Sequence, residues 1–454
     1  MPHHDLVIIG SGSGNSMFTP ELEHLDIALV EENTRWFGGT CLNVGCIPTK
    51  MFVYPAEIVT KVEEGERLGV HGTLPRPDWP AIRDRIFGRI DAISAGGRDY
   101  RLSGTPNGTL YEAHASFTGP KQLQLSTGET LTADRIVLAA GSRATVPDVV
   151  ASSGVAFHTS DTVMRLDALP QRLIVLGGGY IAAEFAHVFS AYGVQVTVVA
   201  RSGLLRHQDE EISARFTDAV RERWHLRTGV TPTAVRQGRG GIDMSLSDGT
   251  TVSGDVLLVA TGRVPNGDRL DLAAAGVDVH PDGRVVVDAY QRTTAAGVWA
   301  LGDVSSEHQL KHVANHEQRV VAHNLAHPDD LIAADHRFVP SAVFTHPQLA
   351  SVGLTEAQAR AAGLDVAVTV QEFGSTAYGW AMEDQTGICK LIADRASGQL
   401  VGAHLMGEQA SVLIQPLIQA MSFGLDAQQM ARGQYWIHPA LTEVVENALL
   451  GLDG

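Results

Sequence analysis

Residues 38–50 read GGTCLNVGCIPTK and contain Cys41 and Cys46, two of the three cysteines in a chain of 454 residues. Four residues separate the two cysteines. A disulfide that closes so short a loop removes little conformational entropy from a large unfolded chain, so stabilisation is a poor reason for it. An exchangeable dithiol beside a bound redox group is a better reason. We therefore interpret residues 38–50 as a redox-active cysteine pair.

Two other interpretations of the pair are half of a zinc site and two inert buried thiols. Zinc sites usually place cysteines about two to four residues apart and need further ligands. Cys389 is the remaining cysteine of the sequence. This shortage of ligands argues against zinc, and we expect no metal site.

The composition excludes several classes of protein. The length suggests about three domains of ~150 residues each, and the hydrophobic fraction of 44% is that of a globular protein. Since MPHHD leads directly into an apolar segment, we expect neither a signal peptide nor a membrane span. The net charge of −17 argues against nucleic acid as a partner. So few cysteines do not form a secreted disulfide scaffold, and the predicted compartment is the reducing cytoplasm.

A first dinucleotide-binding unit precedes the cysteine pair. The apolar residues 6–9 predict a strand, and a second predicted strand at residues 27–30 ends on Glu31. Glycines between them let the backbone approach a pyrophosphate at a helix N-terminus, and the acid can accept a hydrogen bond from a ribose hydroxyl. These glycines are Gly10, Gly12 and Gly14.

This first unit departs from the usual pattern in two ways. Asn15 stands where a third glycine is common, and Pro20 interrupts the helix expected over residues 16–24. A glycine turn in an ordinary β–α connection is therefore the alternative interpretation.

The second dinucleotide-binding unit is more regular. Residues 172–176 predict a strand, residues 181–192 a helix and residues 194–199 the next strand. The turn between the first strand and the helix contains Gly177, Gly179, Tyr180 and Ile181. The second strand leads to Arg201, with Arg206 nearby, and not to an acid. An arginine can pair with a 2′-phosphate that an acid would repel, so the unit favours NADPH over NADH. Two solvated arginines at a strand end are the alternative.

Three further signatures combine a strand with small residues. Residues 135–143 and 255–263 are apolar strands that end in Gly141-Ser-Arg and Thr-Gly-Arg263, where the chain would cross between nucleotide domains. Residues 297–303 place Asp303 after a strand and a tight turn, where it could bind a ribityl hydroxyl of a flavin or cap a helix. A helix opening near His312 could direct its positive end towards the flavin pyrimidine.

The last ~120 residues lack nucleotide signatures. Residues 410–423 carry so many apolar residues at helical spacing that we expect a helix in a subunit contact. Near the C-terminus, His438 precedes a proline and Glu443 follows five residues later. This pattern is typical of an imidazole oriented by a carboxylate, although a histidine before a proline is more often structural.

Taken together, these motifs in this order resemble the pyridine-nucleotide disulfide oxidoreductases, the glutathione reductase-like family, over essentially the whole chain. The resemblance implies an α/β fold with two Rossmann-like dinucleotide-binding domains and a C-terminal α+β dimerisation domain. It implies an FAD-binding domain at residues 1–145 and 265–335, an NADPH-binding domain at 146–264 and an interface domain at 336–454. It also implies a homodimer whose active site is shared between subunits.

The resemblance assigns unequal roles to the two cysteines. Cys46 would hold a thiolate against the flavin, and Cys41 would attack a substrate disulfide. His438 of the partner subunit would act as base and then acid, held by Glu443. Lys50 would lie near the flavin and pair with Glu184.

The resemblance also implies two sets of cofactor-binding residues. Tyr180 would cover the nicotinamide pocket until the nucleotide arrives. The expected FAD-binding residues are Gly10, Gly12, Gly14, Glu31, Thr40, Ala115, Gly141, Asp303 and His312. The expected NADPH-binding residues are Gly177, Gly179, Tyr180, Ile181, Arg201, Arg206 and Arg263.

The predicted function is NADPH-dependent reduction of the disulfide of a low-molecular-weight thiol. Related reductases offer glutathione a basic residue from the first FAD helix, whereas residues 16–24 contain no Lys or Arg and include Glu21 and Glu23. A neutral, hydroxyl-rich thiol disulfide suits this segment better. Two alternatives are an NAD-linked dihydrolipoamide dehydrogenase and a flavin-binding redox sensor without turnover.

Overall fold

The first glycine-rich turn lies on a sheet built around the buried strand His3–Ile9. The computed structural model describes residues 1–453. On one side, Ile27–Val30 and then Gly108–Tyr111 pair in parallel, and on the other side Thr130–Leu138 does so. The second half of Thr130–Leu138 pairs in parallel with Val298–Ala300, whereas its first half begins an antiparallel ribbon. The ribbon continues with Gln122–Leu125 and Ala115–Gly119.

The second glycine-rich turn lies on a separate four-stranded sheet in which all strands are parallel. In spatial order, its strands are His225–Thr228, Gln195–Ala200, Arg172–Leu176 and Val256–Val259. An antiparallel three-stranded sheet is inserted in the chain before the strand Val256–Val259 and is formed by Pro232–Gly238, Gly241–Leu246 and Thr251–Gly254. A short antiparallel ribbon, Ser142–Ala144 with Arg263–Pro265, joins the two points where the chain passes between the parallel sheets.

The third large sheet is antiparallel and lies in the C-terminal part of the chain. In spatial order, its strands are Ser341–Val343, Gln348–Gly353, Leu400–Gly407, Ile388–Asp394 and Val366–Glu372. The terminal helix, Thr442–Leu450, buries Val444, Val445 and Leu449 in the core of this region. The predicted fold class, two Rossmann-like units plus a C-terminal α+β unit, is confirmed.

The α-helices vary from single turns to 25 residues. They are Gly39–Asn43, Cys46–Gly65, Trp79–Ser103, Asp148–Ala151, Ser160–Val163, Tyr180–Ala191, Glu210–Val220, Leu272–Ala275, Lys311–Ala326, Glu356–Ala361, Ala377–Met382, Ala410–Leu413, Gln415–Phe423, Ala427–Arg432 and Thr442–Leu450. Within residues 1–453, no helix is long and apolar enough to cross a bilayer.

Two predicted helices differ from the structure because of proline. The helix expected over residues 16–24 is replaced by two 3₁₀ turns, Gly14–Met17 and Pro20–Leu22. The helix expected over residues 410–423 is divided into Ala410–Leu413 and Gln415–Phe423. Pro416 has no N–H to donate to the carbonyl four residues earlier, so the helical ladder breaks there.

The cysteine helix, Cys46–Gly65, packs against the nucleotide helix, Tyr180–Ala191, and so brings the two glycine-rich units together. Tyr192 Oη donates a hydrogen bond to the Phe52 carbonyl at 2.8 Å. The rings of Phe52 and Trp79 stack with their centroids 5.0 Å apart in the shared core. These contacts hold the second turn of the cysteine helix against the C-terminal end of the nucleotide helix.

A buried lysine joins the nucleotide-binding region to the third sheet. The Lys390 side chain is 5% exposed, and its Nζ lies 2.9 Å from Asp209 Oδ1 and 2.8 Å from Glu356 Oε2. Asp209 is also the N-cap of the helix Glu210–Val220. A buried cation is tolerated when it is paired in this way.

Candidate active site

Cys41 and Cys46 lie on two consecutive helices and line one cleft. Cys41 is in the single-turn helix Gly39–Asn43, and Cys46 is the first residue of the cysteine helix. Both are free thiols; Cys46 is exposed and Cys41 is partly buried. Cys389 is a buried thiol in the core of the third sheet. Both cysteines line the cleft, which makes their sulfurs available for exchange.

The two thiols have different acidities. The hydrogen bond from the Cys41 thiol, with a further contribution from the Lys50 charge, lowers the pKa of Cys46 to about 7. The same hydrogen bond, together with burial, raises the pKa of Cys41 above its usual range. Of the two sulfurs, Cys46 is therefore the one that ionises near neutral pH, while Cys41 keeps its proton.

A lysine–glutamate pair lies next to Cys46. Lys50 Nζ donates to both carboxylate oxygens of Glu184, at 2.8 Å each. Glu184 is 4% exposed and also accepts a hydrogen bond from the Phe344 N–H at 3.0 Å. The pairing expected between Lys50 and Glu184 is present, and it joins the cysteine helix to the nucleotide helix.

The two glycine-rich turns share one steric requirement. Gly10 has φ +105°, and a Cβ there would lie 2.3 Å from the Ala139 carbonyl oxygen. Gly177 has φ +139°, and a Cβ there would lie 2.2 Å from the Ala260 carbonyl oxygen. In each unit the turn therefore passes too close to the neighbouring strand for any side chain, which leaves the backbone N–H groups accessible to a pyrophosphate.

The first glycine turn is tied directly to the cysteine-containing stretch. Glu31 Oε2 accepts hydrogen bonds from the Ser11 N–H at 2.8 Å and from Ser11 Oγ at 2.6 Å. Ser11 Oγ in turn accepts from the Gly38 N–H at 2.9 Å. A Cβ on Gly39 would lie 2.6 Å from Gly12 Cα, so the two segments are in backbone contact. A cofactor held by the turn would therefore lie beside the cysteines.

Asp303 also lines the cleft. Its Oδ2 accepts a hydrogen bond from Ser142 Oγ at 2.6 Å, and Ser142 Oγ accepts from Arg263 Nε at 2.8 Å. Arg263, which we assigned to NADPH, is thus held beside Asp303. The neighbouring Gly302 N–H donates to the buried carboxylate of Glu317 at 2.6 Å, which fixes the turn that carries Asp303.

The cleft brings together most of the predicted site residues. Those that line it are Gly10, Gly12, Glu31, Thr40, Cys41, Cys46, Lys50, Ala115, Gly141, Tyr180, Ile181, Glu184, Arg263 and Asp303. Those that do not are Gly14, Gly177, Gly179, Arg201, Arg206, His312, His438 and Glu443. The His312 side chain is exposed, and its Nε2 lies 2.9 Å from the Pro340 carbonyl oxygen.

Arg201 and Arg206 follow the strand Gln195–Ala200 as expected. Both are exposed, and neither has a hydrogen-bonding or ionic partner within residues 1–453. Two unpaired guanidinium groups at this position are available for an anionic ligand.

His438 and Glu443 form a separate pair on the surface of the C-terminal region. The His438 side chain is 71% exposed, and its Nδ1 lies 2.7 Å from Glu443 Oε1. The hydrogen bond with His438 lowers the pKa of Glu443. Tyr435 and Ile437 beside them are 103% and 75% exposed. Exposed apolar side chains around an oriented imidazole are typical of a contact surface.

Two cations near the first glycine turn were missed by the sequence reasoning. Arg101, from the helix Trp79–Ser103, donates from Nε to Asn15 Oδ1 at 2.7 Å and lies 3.7 Å above the Phe18 ring. Lys311 Nζ donates to Ser13 Oγ at 2.8 Å. Asn15, where the glycine pattern fails, was the available signal, because its amide is the partner of Arg101.

Known protein families match almost the whole chain. A family profile described as pyridine nucleotide-disulphide oxidoreductase matches residues 4–319. A second profile, described as the dimerisation domain of pyridine nucleotide-disulphide oxidoreductases, matches residues 339–449.

Individual relatives are similar over their full length. Mycothione reductase of Mycobacterium tuberculosis is 56% identical over 463 residues, which cover 100% of both chains. Dihydrolipoyl dehydrogenase of Corynebacterium glutamicum is 32% identical over 100% of this chain and 98% of its own. Among solved structures, the HOCl-induced flavoprotein disulfide reductase RclA of Escherichia coli has a TM-score of 0.86 and 26% identity, covering 98% of this chain and 99% of its own.

Proposed function

The chain belongs to the pyridine nucleotide-disulphide oxidoreductase family, and we propose that it reduces mycothione, the disulfide of a neutral, hydroxyl-rich thiol, with electrons from NADPH. It is an enzyme of a family that uses FAD and a pyridine nucleotide. The observation that carries the proposal is the cleft in which Cys41 and Cys46 face both the first glycine turn and the nucleotide helix.

The chain fits both cofactors on steric and polar grounds. Gly10 and Gly177 leave backbone cradles that a Cβ would fill. Glu31 and Asp303 offer carboxylates to hydroxyl groups of FAD, and Arg201 and Arg206 offer guanidinium groups to the 2′-phosphate of NADPH. When bound, FAD carries the two electrons of NADPH to the protein disulfide.

The two sulfurs then exchange in a fixed order. Two electrons break the Cys41–Cys46 bond and, with uptake of one proton, leave a thiolate on Cys46 and a thiol on Cys41. After Cys41 loses its proton, it attacks one sulfur of the substrate; a Cys41–substrate disulfide forms, the substrate S–S bond breaks and one thiolate leaves. The Cys46 thiolate next attacks Cys41, re-forming the protein disulfide and releasing the second thiolate. Each substrate thiolate takes one proton.

A base is needed because the Cys41 proton is firmly held. The hydrogen bond to Cys46 and burial raise the pKa of Cys41. Among the residues that line the cleft, the one histidine is His114, and its ring nitrogens face Glu32 and the Arg269 carbonyl. We propose that His438 of the partner subunit removes the proton from Cys41 and returns it to the leaving thiolate. The exposure of His438 in the single chain supports this assignment.

The choice of substrate rests on similarity more than on the glycine-turn segment. The 56% identity to mycothione reductase supports mycothione. The lack of Lys or Arg at residues 16–24 supports it less than the sequence suggested, because Arg101 and Lys311 bring positive charge to the same turn from other helices. We also propose an FAD-binding domain at residues 1–145 and 265–335, an NADPH-binding domain at 146–264 and an interface domain at 336–454, of which Gly454 lies outside the described residues. We further propose a cytoplasmic location and no nucleic-acid partner.

The decisive experiment is steady-state turnover with mycothione, glutathione disulfide and lipoamide, each with NADPH and with NADH. We expect mycothione with NADPH to give the highest kcat/KM, and Arg201→Met to raise KM for NADPH far more than for NADH. Preferred turnover of lipoamide with NADH would instead identify a dihydrolipoamide dehydrogenase. Retention of FAD without turnover of any disulfide would identify a redox sensor.

A further inference from the structure

A buried carboxylate behind the Asp303 turn has a histidine as its partner. The Glu317 side chain, on the helix Lys311–Ala326, is 1% exposed. One of its oxygens, Oε2, accepts the hydrogen bond from the Gly302 N–H at 2.6 Å. The other oxygen, Oε1, lies 3.0 Å from His336 Nε2. A continuous line of contacts therefore runs from His336 through Glu317 to the turn that carries Asp303.

The buried carboxylate needs a positive charge beside it. An ionised carboxylate removed from water is stable only when a cation or several hydrogen bonds compensate it. Within residues 1–453, Glu317 accepts one side-chain hydrogen bond, from the neutral Gly302 N–H. The contact from His336 Nε2 lies off the axis of a regular hydrogen bond, so it acts through opposite charges and requires a protonated imidazole. The same contact raises the pKa of His336 above its ordinary value.

Two further histidines lie next to His336. The ring centroids of His308 and His316 are 6.1 and 6.3 Å from that of His336. Burial lowers the pKa of both neighbours, so they are neutral where His336 still carries its proton. His316 Nε2 also accepts a hydrogen bond from the Asp335 N–H at 3.1 Å, as only an unprotonated nitrogen can. The other charged groups around this cluster are Glu307, Arg319, Asp335 and Arg337.

We propose that His336 is a positioning residue of the FAD site, whose charged imidazole holds Glu317 and, through it, the Gly302–Asp303 turn in the geometry that binds the cofactor. The proposal rests on the part of the proposed function that assigns Asp303 to FAD. Within residues 1–453, no group of histidine, cysteine, aspartate or glutamate side chains is arranged to hold a metal ion. Proton binding is therefore the chemistry of this cluster.

Rising pH should weaken the FAD site. Because the pKa of His336 is raised in the folded protein, the stabilisation from its pair with Glu317 is complete below about pH 6.5. It is lost as the pH rises through the folded-state value, where Glu317 loses its cation. FAD should then leave more readily at mildly alkaline pH.

The test is the rate at which FAD leaves the diluted holoenzyme between about pH 6.5 and about pH 9, a range in which His308 and His316 stay neutral. The rise in flavin fluorescence reports release, and far-ultraviolet circular dichroism in parallel reports unfolding. In the wild type, we expect release to quicken by about threefold to tenfold over this range, because part of a charge–charge interaction is lost. His336→Gln should release FAD rapidly at every pH in the range.

Three further variants complete the comparison. His336→Lys keeps a cation that stays protonated to higher pH, so release should remain slow throughout the range. Glu317→Gln keeps an oxygen for the Gly302 N–H but removes the charge, so release should no longer depend on pH. His280→Gln is the matched control, because His280 is exposed and does not line the cleft, and its profile should equal that of the wild type.

Three results would overturn the proposal. The first is the same pH profile of release in the wild type and in His336→Gln. The second is release from His336→Lys as rapid as from His336→Gln, since charge would then not be what matters. The third is loss of the dichroism signal together with FAD in His336→Gln, since the histidine would then support the fold as a whole.

These outcomes are independent of the choice of substrate. If FAD release follows the expected profiles and the protein still reduces no disulfide with NADPH, the proposed function fails while the role of His336 stands. Normal turnover of mycothione with pH-independent release of FAD would overturn the role of His336 alone.

Discussion

Contacts with residues far away in the sequence determine the surroundings of Asn15, Cys46 and Lys311. Asn15 binds Arg101, Cys46 lies beside the Lys50–Glu184 pair, and Lys311 binds Ser13. Residue types and short spacings were enough to predict the cysteine pair, and family resemblance added the Lys50–Glu184 contact. The sequence did not reveal the Arg101 and Lys311 contacts, because each joins segments that are far apart in the chain and follows no short motif.

The acidity of Cys46 leads to a pH prediction. Because the Cys41 thiol donates to it, the pKa of Cys46 is lowered to about 7, so its thiolate is present above that pH and is lost by protonation below it. In Cys41→Ala the donor is absent, and we expect the titration midpoint to rise by about one unit or more. The S–H stretching band of the reduced protein, followed by infrared spectroscopy against pH, measures both midpoints.

A wild-type midpoint near that of an ordinary thiol would contradict this view of the pair. An unchanged midpoint in Cys41→Ala would show that Lys50 alone sets the acidity. Glu184→Gln is a useful companion variant, because removal of its negative charge should lower the midpoint of Cys46 further.

The two glycine turns show how much of an element the sequence can predict. Both turns and their flanking strands were recognised from glycine spacing and apolar runs, and the strand bounds agree within a few residues. The element after the first turn was not predicted correctly, because Pro20 prevents a helix there and two 3₁₀ turns form instead. The sequence also could not reveal that the positively charged side chains near this turn come from other helices.

The steric requirement of these turns gives a prediction for each cofactor. A Cβ at Gly10 or Gly177 would collide with a carbonyl oxygen at positive φ, which should cost about 2 kcal/mol or more locally. We expect Gly10→Ala to lose FAD on purification. Gly177→Ala should keep FAD but lose reduction by NADPH, as measured by flavin absorbance after nucleotide addition.

Gly88→Ala is the matched control for these two variants. Gly88 lies in the helix Trp79–Ser103, and a Cβ added there would have open space around it to 4 Å, so the substitution should preserve FAD and reduction by NADPH. Full reduction by NADPH in Gly177→Ala would show that the second turn does not need its close approach to Ala260.

The proposed sharing of the active site between two subunits belongs to the scale of the whole molecule. The family profile of a dimerisation domain matches residues 339–449, and His438 does not line the cleft of its own chain. The sequence suggested this arrangement through family resemblance, not through the residues themselves, because no pattern within one chain specifies which copy supplies a side chain.

Mixed dimers test this sharing. Cys41→Ser and His438→Gln should each be nearly inactive alone, because one lacks the attacking sulfur and the other the base. When the two variants are co-refolded in equal amounts, half of the dimers contain one copy of each. In each such dimer one of the two sites combines an intact cysteine pair with His438 of the partner subunit, so we expect about one quarter of wild-type turnover. Inactivity of the mixture, with heterodimers verified by mass spectrometry, would place both groups in one chain.

The ion cluster at Lys390 has a mechanical consequence. Asp209 begins a helix of the nucleotide-binding region, Glu356 begins a helix of the C-terminal region, and Lys390 joins them almost out of contact with water. Rotation of the nucleotide-binding lobe away from the C-terminal lobe would have to separate these opposite charges. We therefore expect the two lobes to move as one rigid body. Any hinge motion that admits a nucleotide should then occur at the two-stranded ribbon of Ser142–Ala144 and Arg263–Pro265.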